Sequence, residues 1–234
     1  MFDFYGTVVD MQSGLTRAIT PYLESKGYTA NPPNRIVTWW RRTHFENSMI
    51  DALLHRDHTP YREIGHQSVD YTLDRAGIPH TPAEVQWLVS QIERLEPFPD
   101  VVGALTRLRE RGLMLVVLSN GDPDMLQRGV AYSGTADLFE RVISVAEAGA
   151  FKPHVATYRG ASELIGLAPS DILFVANHTF DCVGAKAFGM RTAFVDRRRR
   201  PFGNPKYPPD VVLADFAALA DYLGSDRGAQ VTEY

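Results

Sequence analysis

The chain has 234 residues, 44% of them hydrophobic, with 12 Phe, 10 Tyr and 3 Trp to fill a core. That suits one large domain or a core with an insert. The net charge of −4 gives no argument for nucleic acid, no apolar run reaches the roughly 18 residues of a membrane span, no signal peptide opens the chain, and the lone Cys182 excludes an internal disulfide framework and fits a reducing compartment. The expectation is a cytoplasmic protein with no nucleic-acid or membrane partner.

The first residues read as a strand ending in Asp3, followed by a Tyr5-Gly6-Thr7 turn. In an open α/β sheet the carboxyl edge of a strand is where ligands sit. Asp3 is therefore a candidate nucleophile; alone, it also reads as a turn aspartate. Only Met1 and Phe2 precede it, whereas a strand has about five or six residues. The expectation is a start several codons upstream, with Met1 an internal strand residue.

Four helical segments come next: Gly14 to Lys26 with Gly27 as stop, about Arg35 to Leu54, Tyr61 to Ala76 before Gly77, and Pro82 to about Leu95 with Thr81 as cap. Successive helices without a convincing strand suggest a small bundle. After Pro97 the pattern changes. Asp100 is expected to cap a helix to about Arg111, and Leu113 to Leu118 reads as a fully buried strand. Helix 124–132, strand 141–144, helix 153–165, strand 172–176, helix 180–188, strand 192–195, strand 211–213 and helix 216–223 follow. Cys182 falls at a helix start and is expected to be packed rather than reactive. The basic run Arg197 to Arg200 reads as a solvated loop. Strands alternating with helices mean a parallel sheet covered on both faces. The fold class is therefore α/β, a doubly wound parallel sheet with an inserted helical-bundle cap: core residues 1–11 and 95–234, cap residues 12–94.

Three more polar clusters follow strands. Ser119-Asn120-Gly121 exposes backbone N–H groups that can hold an anion. Phe151-Lys152-Pro153 precedes a helix whose proline is expected to start it, with the lysine facing the strand edge. Asn177-His178-Thr179-Phe180-Asp181 opens another helix and should aim Asp181 at the same edge as Asp3. Each alone is an ordinary turn, a solvated lysine or a structural histidine.

Together, in this order, they resemble the haloacid dehalogenase superfamily with its Rossmann-like core. Phosphatases of that superfamily carry a second aspartate where this chain has Tyr5, and an extra Mg²⁺-binding carboxylate where it has Asn177. The sequence looks like the L-2-haloacid dehalogenase branch, whose signature is Asp-x-Tyr-Gly-Thr and which works without metal or other cofactor. In the cap, Trp40-Arg41 with Phe45 four residues on resembles that branch's cap helix, and Arg42 is expected to face solvent. The resemblance implies Asp3 as nucleophile, Lys152 keeping it ionised, Ser119 on the substrate carboxylate, Arg41 on the leaving halide, and Asp181 placing water. It implies substrate-binding positions at Tyr5, Thr7, Phe45, Asn120, Asn177, His178 and Phe180. Phe180 stands where the family usually has tryptophan, and His178 where some members have asparagine. The implied substrate is a short 2-halo acid, and a homodimer is compatible with the reading. The alternatives are a Mg²⁺-dependent phosphatase, a hydrolase opening a strained ring acid, and a metabolite-binding member without activity.

Overall fold

The computed structural model describes residues 1–54 and 57–225. Helices α1 (Met11–Ser25), α2 (Pro33–Leu53), α3 (Tyr61–Ala76) and α4 (Pro82–Ser90) pack one on the next. Asp10 caps α1 by accepting from the Ser13 N–H, and Thr81 forms a reciprocal capping box with Glu84 on α4. The fourth helix stops short of Leu95, tightening into a 3₁₀ turn at Gln91–Glu93.

The rest alternates: α5 (Val101–Glu110), β1 (Val116–Ser119), α6 (Pro123–Tyr132), β2 (Arg141–Ser144), α7 (Val155–Ile165), β3 (Leu173–Ala176), α8 (Thr179–Phe188), β4 (Arg191–Val195), β5 (Val211–Leu213) and α9 (Phe216–Gly224). All strand pairs are parallel: β1 with β2, β3 with β4, and β4 with β5. Residues 1–3 join the two groups. The Phe2 N–H donates to Val116 and the Phe2 carbonyl accepts from Leu118, while the Asp3 N–H donates to Val175 and the Val175 N–H donates to Met1. The spatial order is β2, β1, residues 1–3, β3, β4, β5. In chain order that is 3-2-1-4-5-6, the doubly wound arrangement, and residues 1–3 are the strand at which the order reverses. Asp3 ends that strand, at the crevice.

Several local expectations are corrected. Leu113 and Met114 are exposed rather than part of a buried strand. Gly112 takes a left-handed φ of 76°, and the Leu113 N–H still bonds back to Leu108, so the chain enters the sheet only at Val116. Helix α7 begins at Val155, where His154 caps it through Nδ1 to the Ala156 N–H. Asp100 makes no cap bond on α5. Its carboxylate accepts instead from Arg197, at 2.9 and 3.1 Å, and from the Phe216 N–H at 2.7 Å.

Arg197 is accordingly no solvated loop residue. It also donates to the Thr7 carbonyl, and its guanidinium lies 3.8 Å from the Phe98 ring centroid. It ties the turn after Asp3 to the last helix. Cys182 is buried within α8, as expected, and burial raises its thiol pKa. Among the described residues no helix is long and apolar enough to cross a membrane. Removing Arg197 would strand the part-buried Asp100. Arg197→Ala is therefore expected to cost about 2–4 kcal/mol of folding stability, read as a lower urea midpoint at unchanged m-value; a shift within error would contradict this role.

Candidate active site

Asp3 is buried at the base of a cavity of about 560 Å³ between the sheet edge and the helical layer. The turn after it closes on itself: the Val8 and Val9 N–H groups donate to Phe4, and the Gly6 N–H to Val9. Gly6 has φ 87°, and a Cβ there would lie 2.9 Å from His178 Cε1 and 3.4 Å from Arg41 Nη2. Glycine is needed both for the turn and for the close approach of those two side chains.

Both carboxylate oxygens are engaged. Oδ1 accepts from Lys152 Nζ at 2.9 Å, with the Ser119 hydroxyl at 3.4 Å. Oδ2 accepts from Thr7 Oγ1 at 2.6 Å and faces His178 Nδ1 at 3.2 Å. Thr7 Oγ1 in turn accepts from the Asn177 N–H at 3.0 Å. Burial by itself would raise the Asp3 pKa. The Lys152 charge, His178 and Thr7 outweigh it and hold the carboxyl well below the usual range.

Lys152 is almost wholly buried. Its ammonium also donates to Asp181 Oδ2 at 3.0 Å and to the Leu118 carbonyl at 3.0 Å, while its backbone N–H donates to Asn120 Oδ1 at 2.9 Å. Burial opposes the charge, but the two carboxylates overcome it and raise the Lys152 pKa. Asp181 moves the opposite way from Asp3. Burial foremost, with Asp3 repelling and Lys152 opposing, pushes its carboxyl up. Asp181 also accepts from the Tyr158 hydroxyl at 3.2 Å, and it sits behind Lys152 rather than on the cavity wall.

The helical layer supplies Arg41, whose Nη1 donates to Gln12 Oε1 at 2.8 Å. Burial and the nearby Arg198 lower its pKa to about 10, so it stays charged at neutral pH. Arg42 is exposed, 3.5 Å from Glu46, at the cavity rim. Phe45 and Phe180 meet with ring centroids 4.4 Å apart and line the cavity with Tyr5, Ser119, Asn120 and His178. Tyr5 is buried and stacks on Tyr61 at 6.0 Å, its hydroxyl lacking a partner among the described residues. Burial raises its pKa well above the ordinary phenol value. With Asp181, two other expected site residues stay off this wall: the Asn177 amide donates to the Gly6 carbonyl at 3.0 Å, holding the turn, and Thr7 is fully buried beneath Asp3, its hydroxyl spent on the carboxylate rather than on substrate.

Sequence reasoning missed Gln12, His44, Tyr61 and Tyr158. Residues 41, 44, 45 and 48 share one face of α2, so helical spacing from Arg41 could have found His44. Tyr61 and Tyr158 carry no comparable signal. The rim also includes Arg198 and Arg200, which with Arg199 are exposed, as expected of a solvated run.

Among the described residues lining this cavity, Asp3 is the only carboxylate, against five cationic side chains: Arg41, Arg42, Lys152, Arg198 and Arg200. Ligand atoms of Asp3, His178 and Asp181 lie within 4.8 Å of one another. The Lys152 ammonium already occupies both carboxylates, so a dication there would face a fixed positive charge, and this donor set does not fit one. The arrangement suits an anionic ligand met by an ionised, oriented carboxylate.

The haloacid dehalogenase-like hydrolase family matches residues 1–189, and the chain belongs to it. The chain is 32% identical to haloacetate dehalogenase H-2 of Moraxella sp. (strain B) over 222 residues, 95% of this chain and 96% of that one. It is 35% identical to the (S)-2-haloacid dehalogenase of Xanthobacter autotrophicus over 197 residues, 84% and 74% of the two chains. The structure of L-2-haloacid dehalogenase from X. autotrophicus with chloropropionic acid covalently bound matches with a TM-score of 0.84 at 29% identity, covering 96% of this chain and 97% of that one.

Lys152→Met would leave Asp3 and Asp181 facing each other without their cation, which raises the folded-state pKa of the pair. A raised carboxylate pKa means stability present below the unfolded value near 4 and lost as pH rises through the folded value. Lys152→Met is expected to lose about 3–5 kcal/mol at pH 7 and to recover part of it near pH 5. Urea unfolding at the two pH values reads this; a loss that grows on acidification would contradict it.

Proposed function

We propose that this chain is a hydrolase acting on carbon–halogen bonds, converting short (S)-2-halo acids to 2-hydroxy acids through an ester on Asp3. The observation that carries the reading is the lone ionised carboxylate at the base of a cationic cavity. The relatives named as 2-haloacid dehalogenases support the same chemistry.

Asp3 attacks the halogen-bearing carbon from the side opposite the halogen. A C–O bond forms as the C–X bond breaks, and halide departs with the electron pair. Water then adds to the Asp3 carboxyl carbon and cleaves the ester. The products are halide, a proton and the 2-hydroxy acid of inverted configuration. Splitting one displacement into two steps lowers each barrier, and orientation in the cavity can supply about 7–11 kcal/mol.

The side chains divide the work. Lys152 keeps Asp3 ionised, and Thr7 orients it through the 2.6 Å hydrogen bond. Ser119 and the N–H groups of Asn120 and its neighbour hold the substrate carboxylate. Arg41 stabilises the departing halide across Gly6. Tyr5, Phe45 and Phe180 wall the site and limit water. His178 faces the Asp3 carboxyl from the cavity wall and places the hydrolytic water, while Asp181 acts from behind through Lys152. Esterification removes the Asp3 charge that raises the Asp181 pKa, which further favours the ionised form of Asp181 during the water step. Asn177 acts indirectly, by fixing the turn.

The two-part organisation fits this scheme: a core of residues 1–11 and 95–234, and a helical cap of residues 12–94 that brings Arg41 over the nucleophile. The Tyr61 and Arg62 N–H groups donate to Asp122, which docks α3 on the core beside the cavity. Exposed Ile50, Leu53 and Leu54 at the end of α2 support a homodimer.

The test is halide release from (S)-2-chloropropionate with and without a chelator, together with phosphate-ester hydrolysis. Release unaffected by chelator is expected. Arg41→Ala should lower kcat about 10²-fold or more, Arg41→Lys should recover part of that, and Arg42→Ala should be nearly silent. Strict Mg²⁺ dependence with phosphate-ester hydrolysis would place the chain in the phosphatase branch instead.

A further inference from the structure

The cavity is larger and more cationic than a three-carbon halo acid requires. Its volume of about 560 Å³ falls in the range of roughly 300–1,000 Å³ that accommodates drug-sized ligands. A second cavity of about 540 Å³ adjoins it and shares Phe45, His178, Phe180, Arg198 and Arg200 with the first. Arg198 and Arg200 thus stand where the two spaces meet, beside the Phe45–Phe180 pair. Neither is used in the scheme above.

The chain places these two arginines. Arg197 is locked onto Asp100, Thr7 and Phe98, which anchors the start of the run. The Arg200 N–H donates to Asp196 Oδ1 at 3.0 Å, closing its end. Arg199, between them, takes φ 50°, the one left-handed residue other than glycine among the described residues. A bulky side chain adopts that conformation only where its surroundings impose it. The kink lets residues 198 and 200 line both cavities while residue 199 lines neither.

Their charges are not neutralised locally. Among the described residues, neither guanidinium has a carboxylate within ion-pair distance. Burial and Arg200 lower the Arg198 pKa, Arg198 in turn depresses Arg41, and Asp10 is the acid that opposes both effects. Five cations face the single carboxylate Asp3 among the described residues lining the first cavity, and Asp196 lines the second; a cleft with such an excess of one sign focuses its field on an anion. The substrate's own carboxylate is already provided for at Ser119 and Asn120, and its halide at Arg41. Two cations are left over, with space leading to them.

We propose that Arg198 and Arg200 form a second anion subsite, and that the preferred substrates are 2-halo dicarboxylic acids whose distal carboxylate it holds. This rests on the dehalogenase reading and names the substrate class of that site. A length-matched acid ending in a methyl group would leave both arginines unpaired and gain nothing from them.

The experiment compares (S)-2-chlorosuccinate, (S)-2-chlorobutyrate and (S)-2-chloropropionate on the wild-type protein and on the double variant Arg198→Ala/Arg200→Ala. In the wild type, kcat/KM for chlorosuccinate should exceed that for chlorobutyrate by about tenfold or more. The double variant should bring that ratio to one or below. A wild-type ratio of one or less would overturn the proposal. So would a variant that slows all three substrates together with an effect that disappears at high salt, which is general steering of anions. Calorimetric titration with succinate and butyrate, which carry no leaving group, reads the subsite without turnover. Succinate should bind about tenfold tighter than butyrate, and only while both arginines are present; equal affinities would overturn the proposal. Succinate selectivity in a protein that releases no halide from any of the three acids would leave the subsite standing and defeat the dehalogenase reading.

Discussion

The Lys152 ammonium, held 2.9 Å from Asp3 and 3.0 Å from Asp181, is the interaction on which the rest depends. Three charges share a space nearly closed to water. Each would cost several kcal/mol to bury alone. Together they leave one net negative charge, and the surrounding bonds decide where it resides. Thr7, His178 and Lys152 concentrate it on Asp3, whose pKa falls, while Asp181 is pushed up. The two aspartates are thereby driven apart: Asp3 is held firmly ionised, and Asp181 titrates at a higher pH. Neighbouring titratable groups driven apart in pKa take different roles.

The fold supplies the geometry that makes this possible. Residues 1–3 lie at the reversal point of the sheet, bonded to β1 on one side and β3 on the other. Lys152 reaches the same point from the segment after β2, and Asp181 from the first turn of α8. Arg197 pins the turn behind Asp3 to Asp100 and α9. The cap adds the component the core lacks, a guanidinium that comes close to His178 over a glycine. The result is a cavity whose wall attracts anions and whose one carboxylate among the described residues, Asp3, is held ionised.

Much of this was legible in the sequence, and the failures have a common cause. Asp3, Ser119, Lys152 and Asp181 each follow an apolar run, so their convergence on one edge is a consequence of strand–helix alternation. Arg41 and Phe45 could be placed because Trp40-Arg41 and Phe45 resemble the cap helix of the L-2-haloacid dehalogenase branch, and their spacing of four keeps them on one face. The errors occur where a distant partner overrides a local preference. Asp100 looks like a cap but is claimed by Arg197 and the Phe216 N–H, over a hundred positions away for the latter. Leu113 and Met114 look like strand but finish the turn that Gly112 begins. Arg197 looks solvated because nothing in the run announces Asp100 or Thr7, while Arg198 to Arg200 are exposed as read. Tyr158 lies under Asp181 and Asn177 under the Gly6 carbonyl, contacts that exist only once the sheet has formed.

The central claim is that Asp3 itself forms a bond to the substrate carbon. Single-turnover reaction with (S)-2-chloropropionate in ¹⁸O-labelled water, followed by mass analysis of the peptide containing Asp3 and of the released hydroxy acid, tests it most directly. The account predicts label in the Asp3 carboxylate and an unlabelled first-turnover hydroxy acid, because water attacks the carboxyl carbon of the ester. Label in the first-turnover hydroxy acid with none in Asp3 would mean that water attacks the substrate directly, and would contradict the account.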